Sequence, residues 1–207
     1  MKHALFACLF SLTLALSAQA ATAPDPATLP EVKVVEDYLN GISTMKARFV
    51  QTTNEGKQAT GFFMLKRPGK MRFQYDPPVT DFIVADGTLI YYYDGKMKEQ
   101  SSAPISKSLA DFFLRKHLRL AGDIKVSGVK RDRDMLLVTL VEAKDPLSGS
   151  MTLVLQEKPA LVLKRWRIVD TQGGVTEVEL KEPVAGIKLD NDYFRYYNPT
   201  RTQPKYN

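Results

Sequence analysis

A mainly β fold with two helices, in one domain, is what this sequence predicts. Apolar and polar residues alternate with a period of two over about ten short runs. Turn signals such as Asn-Glu-Gly, Asp-Gly and Gly-Gly separate those runs. Only two stretches, 29–40 and 108–120, repeat their apolar residues at helical spacing instead.

The chain begins with the pattern of a secretory signal. Lys2 is followed by a 13-residue apolar stretch, Ala4 to Leu16, broken only by Ser11 and Thr13, and Ala18-Gln19-Ala20 reads as a cleavage site. Such a stretch is too short to span a bilayer. Residues 1–20 are therefore expected to be removed, leaving 21–207 as a single domain of 187 residues. The one cysteine, Cys8, lies in the removed part, so neither a disulfide nor a thiol nucleophile is expected in the mature chain. Without Lys2 the balance is 28 basic against 23 acidic residues, a formal +5. Export argues against nucleic acid as the partner of that charge, which leaves a solvated surface, anionic lipid or an acidic protein.

The mature chain opens with a proline-rich lead-in, 21–30. Thr28 and Glu31 have capping-box spacing, and Val32, Val35, Leu39 and Ile42 follow at helical intervals up to Gly41. Strands come next: "TMKARFVQTT", a turn at 54–57, "ATGFFMLKR", a tight "PGK" connection, and "MRFQYD", stopped by Pro77 and Pro78. "TDFIVAD" and "TLIYYYD" lead into Asp86-Gly87 and Asp94-Gly95, which are hairpin signals. The stretch 101–122 reads as a loop and then a helix: Ser108 and Asp111 have capping-box spacing, Leu109, Phe112 and Phe113 share a face, and Arg115 to Arg119 are mostly cationic. Strands are expected again at 124–131, 135–143, 151–156, 161–170 and 175–181. Hairpin connections make the neighbours antiparallel. Such a sheet can close on itself, pack on a second sheet, or curve around helices.

Catalytic motifs are missing. His117, the one histidine of the mature chain, sits among exposed cations and reads as a surface residue. There is no G-x-S-x-G elbow, H-E-x-x-H, P-loop or dinucleotide fingerprint. Asp190, Asn191 and Asp192 read as a turn or cap rather than a calcium loop. What stands out is surplus apolar surface. "GFFML", "LIYYY" and Leu136 to Val141 are apolar on both faces of a strand. A sheet built so needs cover on both faces, or presents one to a ligand.

The run Phe49-x-Gln51, then "LKRPGKMRFQY", then "P-x-x-x-x-I-V-A-D-G-x-x-I-Y-Y-Y-D" resembles the LolA family of periplasmic lipoprotein carriers. The likeness spans nearly the whole mature chain and is densest from Phe49 to Asp94, while the tail from Arg195 departs from the family's closing segment. The resemblance implies a single curved antiparallel sheet forming an unclosed β-barrel, covered by a helical lid over a hydrophobic cavity. It implies a monomeric, non-enzymatic protein with no cofactor, no metal and no nucleic acid. Its cargo would be triacylated lipoproteins, taken from an inner-membrane ABC-type release complex and delivered to an outer-membrane acceptor.

The K-R-P arginine of that family falls on Arg67, where it would latch the lid by hydrogen bonds to helix backbone. A guanidinium suits this task, with five donors in a fixed fork. The expected cavity and lid residues are Phe49, Phe63, Leu65, Met71, Phe73, Tyr75, Phe82, Val84, Ile90, Tyr92 and Trp166 on strands, with Leu109, Phe112 and Phe113 on the lid. Lys66, Lys70 and Arg72 read as solvated or partner-facing. The rival readings are an outer-membrane acceptor of the same fold, which would need an N-terminal lipidated cysteine, a carrier or sensor of another lipid or glycolipid, and an exported hydrolase.

Overall fold

A computed structural model describes residues 25–107 and 111–199. The expected signal segment 1–20, Ser108 and Leu109 lie outside those residues. Among the described residues, one antiparallel sheet carries eleven strands: β1 (Thr44–Thr53), β2 (Gln58–Lys66), β3 (Lys70–Tyr75), β4 (Phe82–Asp86), β5 (Leu89–Asp94), β6 (Glu99–Pro104), β7 (Ile124–Asp132), β8 (Met135–Glu142), β9 (Ser150–Gln156), β10 (Val162–Val169) and β11 (Val175–Ala185). β1 to β6 run from the centre to one edge. The chain then crosses to the far edge at β7, and β7 to β11 return until β11 pairs with β1. β6 and β7 do not pair with each other, so the barrel stays unclosed. Register shifts in β1–β11, β7–β8 and β9–β10 mark bulges, which bend and twist a sheet. The first places Glu182 at φ 50° on β11.

The concave face holds the main core. Met45, Ala47 and Phe49 of β1, Phe63 and Leu65 of β2, Leu136, Val138 and Leu140 of β8, and Val178 and Leu180 of β11 are all buried in one cluster. Helix α1 (Pro30–Asn40) adds Val32, Val35 and Leu39 to it. The expected Thr28–Glu31 capping box does not form. Pro30 opens the helix with Leu29 as its cap, and the Thr28 hydroxyl instead donates to the Asp25 carbonyl at 2.8 Å.

The second expected helix, 108–120, ends early, at Leu114. Among the described residues of that stretch only α2 (Asp111–Leu114) is helical, and residues 115–123 run irregularly. Phe112, Phe113, Leu114, Leu118 and Leu120 are all buried, which no single helix face could achieve. The backbone of this stretch is satisfied by α1 instead. Asn40 donates to the Leu118 carbonyl at 2.9 Å and accepts from the Leu118 N–H at 2.8 Å, while the Glu36 carboxylate accepts from the Leu120 N–H at 2.8 Å. β6 has no counterpart in the sequence reading, because "EQSSAP" is polar on both faces and shows no alternation.

On the convex face a strip of chain, 187–197, crosses β2 to β5. Leu189 and Phe194 cover Met64, and Tyr196 packs with Phe82 and stacks on Tyr91 at 4.5 Å. Lys66 donates to the Leu189 carbonyl at 2.8 Å, Lys70 to Asn191 Oδ1 at 3.0 Å and Arg72 to the Tyr193 carbonyl at 3.3 Å. These cations, read from the sequence as solvated or partner-facing, bond the chain's own strip. Asp190 caps the short turn at 191–194 by accepting from the Asp192 N–H at 3.0 Å, which is the turn-cap reading of that acidic run.

Candidate functional site

The concave face does not pack solid. Between the sheet and the lid lies a cavity of about 580 Å³. Met71, Phe73 and Tyr75 enter it from β3, Ile83 from β4, Ile90 and Tyr92 from β5, Met151 from β9, Trp166 and Ile168 from β10, and Thr176 and Val178 from β11. Phe113 reaches down from α2, and its ring lies 5.0 Å from that of Trp166. Behind these residues the aromatic packing continues, with Phe63 at 4.9 Å from Phe73 and 5.5 Å from Trp166, and Phe49 edge-on to both Phe73 and Tyr75 at 5.2 Å. Aromatic pairs in edge-to-face and tilted contact strengthen the walls beyond the area they bury.

Of the residues singled out from the sequence, Met71, Phe73, Tyr75, Ile90, Tyr92, Phe113 and Trp166 line the cavity. Phe49, Phe63 and Leu65 sit in the core behind it. Phe112 lines a second, smaller space of about 170 Å³ beside β7, β8 and β9. Phe82 and Val84 are corrections. The register pairs them with Tyr93 and Tyr91 on one side and with Gln74 and Arg72 on the other, and directly paired residues share a face. They therefore belong to the convex face, in a cluster with Tyr93 and Tyr196. Ile83, not Phe82, faces the cavity. Val79, Ile83, Met151, Ile168 and Val178 were missed; register, carried strand to strand from Trp166 and Tyr92, could have found all but Val79, which lies in the loop between β3 and β4.

Arg67 stands at the lid end of this space. Its Nε donates to the Phe113 carbonyl at 2.6 Å and its Nη1 donates to the Leu39 carbonyl. One side chain of the sheet thus ties both lid elements, the end of α1 and α2. Burial pulls its guanidinium down to about 10, still cationic at neutral pH, and no carboxylate among the described residues pairs with it. The adjoining turn adds a third tie. Gly69 has φ 79° and donates its N–H to the Leu114 carbonyl at 2.8 Å, and a Cβ there would come within 2.9 Å of the Gly87 Cα. Glycine meets both demands at no steric cost. Arg115 fixes the far side of the lid by bonding both Asp111 and Asp123, the latter at 2.9 Å through Nη1.

No cluster of His, Asp or Glu suited to a metal ion occurs among the described residues, and His117 is exposed. The site can enclose an apolar body; its polar groups sit at the rim.

The family model "Outer membrane lipoprotein carrier protein LolA" matches residues 40–197. The chain belongs to the LolA family. Its LolA relatives are distant. The outer-membrane lipoprotein carrier protein of Legionella pneumophila strain Paris is 27% identical over 177 residues, covering 81% of this chain and 85% of that protein. The protein of the same name from Nitrosomonas europaea is 31% identical over 91 residues, 42% of this chain and 44% of the relative. Among solved structures, a LolA superfamily protein from Nitrosomonas europaea aligns over 80% of this chain and 97% of its own, at 9% identity and a TM-score of 0.44. No helix among the described residues is long and apolar enough to cross a membrane.

Proposed function

We propose that this protein is a periplasmic carrier, exported by the signal at residues 1–20, that holds the acyl chains of lipoproteins released from the inner membrane and passes them to an outer-membrane acceptor. It binds and releases, and performs no chemistry on its cargo. The observation that carries the reading is the apolar cavity of about 580 Å³ whose lid is tied at both elements by Arg67. Family membership supports it.

The energetics suit a carrier. Each methylene hidden from water gains about 0.8 kcal/mol, so a long acyl chain is costly to move through an aqueous compartment unsheltered. With the lid tied down, the half-enclosed cavity is of the size that holds one drug-sized ligand, a class spanning roughly 300–1,000 Å³. A triacylated anchor is larger, so loading opens the lid and breaks the Arg67 bonds. Closure regains two charge-assisted hydrogen bonds but buries a guanidinium without a counter-ion, and the opposing costs keep the two states close in energy. A lid that prefers to close when empty offsets part of the cargo's binding energy and so favours release.

The test is to purify the mature protein with what co-purifies and to follow handover to outer membranes. Wild type carries triacylated lipoproteins and releases them. Arg67→Leu leaves the Leu39 and Phe113 carbonyls without their donor, weakens closure, and retains cargo at least about tenfold longer. Normal release by Arg67→Leu removes the latch. Free lipid alone in both preparations, with no lipoprotein, replaces lipoproteins by another lipid as the cargo.

A further inference from the structure

Among the described residues that line the cavity, Asp81 is the one formally charged side chain, and no lysine, arginine or histidine joins it. It belongs to a polar end. Tyr75 donates to Gln51 Oε1 at 2.7 Å, and Tyr92 donates to Asp81 Oδ2 at 3.1 Å. Gln51, Tyr75 and Asp81 lie toward the strand ends opposite the Arg67–Gly69 turn, so this end is remote from the latch. The carboxylate is held in place: Asp81 Oδ1 accepts from the Gly95 N–H at 2.9 Å, and a Cβ on Gly95 would fall 1.8 Å from the Thr80 hydroxyl and 2.9 Å from its carbonyl carbon. Only glycine lets the β5–β6 turn come close enough to clamp Asp81.

We infer that this polar end selects the head-group chemistry of the ligand, admitting a neutral hydrogen-bond donor such as a glycerol hydroxyl or an amide N–H and excluding a carboxylate or a phosphate. Each Asp81 oxygen has one bond in the structure and lone-pair capacity for another, which a donating head can use. An anion meets the reverse. The single protons of Tyr75 and Tyr92 are already given to Gln51 and Asp81, and the remaining side-chain donors, the Gln51 amide, the Thr176 hydroxyl and the Trp166 indole N–H, are neutral. Like charges brought together at a half-enclosed site, with no cation between them, oppose binding. Burial also pushes Tyr75 and Tyr92 up to about 12, so both keep their protons at any physiological pH. An acyl anchor on a protein is joined through esters and amides, whereas bilayer phospholipids carry a phosphate beside their chains. Asp81 favours the first over the second.

This inference rests on the reading of the cavity as an acyl-chain site, and the experiment separates the two. Trp166, the only tryptophan, lines the cavity, so a brominated acyl chain bound there quenches its fluorescence. Two probes share one dibrominated stearoyl chain, one as the glycerol monoester and one as the free fatty acid, titrated into the full chain at a pH where the acid is ionised. Wild type binds the ester at least about tenfold more tightly. Asp81→Asn, which keeps the shape of the side chain, closes that gap by raising affinity for the fatty acid, and Asp81→Lys reverses it. Equal binding of both probes by wild type overturns the selectivity while leaving the cavity reading intact, and so does an undiminished gap in Asp81→Asn. If neither probe quenches Trp166, the acyl-chain reading falls, and the selectivity with it.

Discussion

On the concave face of β2 to β5, Phe63, Met71, Phe73, Ile83, Ile90 and Tyr92 border or back a space of about 580 Å³. On the convex face of the same strands, Met64, Phe82, Val84, Tyr91 and Tyr93 meet the strip 187–197. The residue types are alike and the covers differ. The strip fits closely: Phe194 is 1% exposed, and the Tyr196 ring lies 8° from parallel with Tyr91. The lid leaves room. A strand that is apolar on both faces therefore has two separate explanations here, one energetic and one functional. The convex face contributes stability through tight packing, and the concave face gives some up to keep a void.

The largest effect should come from breaking the convex cover. Phe194→Ala removes a fully buried ring from against Met64 and Leu189, and such truncations cost about 3–5 kcal/mol. The urea midpoint should fall accordingly, while the folded fraction binds a brominated acyl probe at Trp166 as wild type does. Loss of probe binding in protein that is still folded would mean that the two faces are not separable.

A smaller effect runs the other way. Ile83→Phe adds volume where space exists, so stability should stay within about 1.5 kcal/mol of wild type. Probe affinity should drop about tenfold, or 1.4 kcal/mol, because the ring takes up ligand space. A pair of variants in which one loses stability and the other loses binding is the sharpest form of the comparison. If Ile83→Phe bound the probe normally, the ligand would have to lie elsewhere on the sheet.

The sequence carried the strands, their turns and α1, because each rests on a local pattern: period two, Asp-Gly or Gly-Gly turns, and Val32, Val35 and Leu39 at helical intervals. It could not carry what depends on distant partners. Leu118 and Leu120 looked helical, yet their backbone groups are taken by Asn40 and Glu36, 78 and 84 residues away. β6 was invisible because "EQSSAP" has no apolar face, as befits an exposed edge. At the site, the apolar run gave the right strands but, for Phe82 and Val84, the wrong face, since one step in parity turns a whole strand over. Arg67 came from its motif and resemblance. Asp81, a lone carboxylate before a strand of apolar residues, gave no local signal at all.

The smallest effect distinguishes the faces by acid. On the convex side, Asp76 accepts from Arg48 Nη1 at 2.9 Å and from the Thr60 hydroxyl at 2.6 Å, while the Arg48 guanidinium lies 4.4 Å above the half-exposed Phe62 ring. These bonds, Arg48 first and then Thr60, hold the Asp76 carboxyl down at about 2 against an ordinary 3.8. A carboxylate depressed by folding stabilises the fold fully above its unfolded value, and that contribution drains away as pH falls through the folded one. The window is therefore from about 4 down to about 2. The pair is solvent-exposed, so its contribution is modest and screened by salt. Asp76→Asn should show a slightly lower urea midpoint than wild type at neutral pH, and the difference should shrink across that window and in high salt. A constant difference from neutral pH to below 2 would mean that Asp76 acts through shape alone, and that the ion pair above Phe62 does not help hold the convex face.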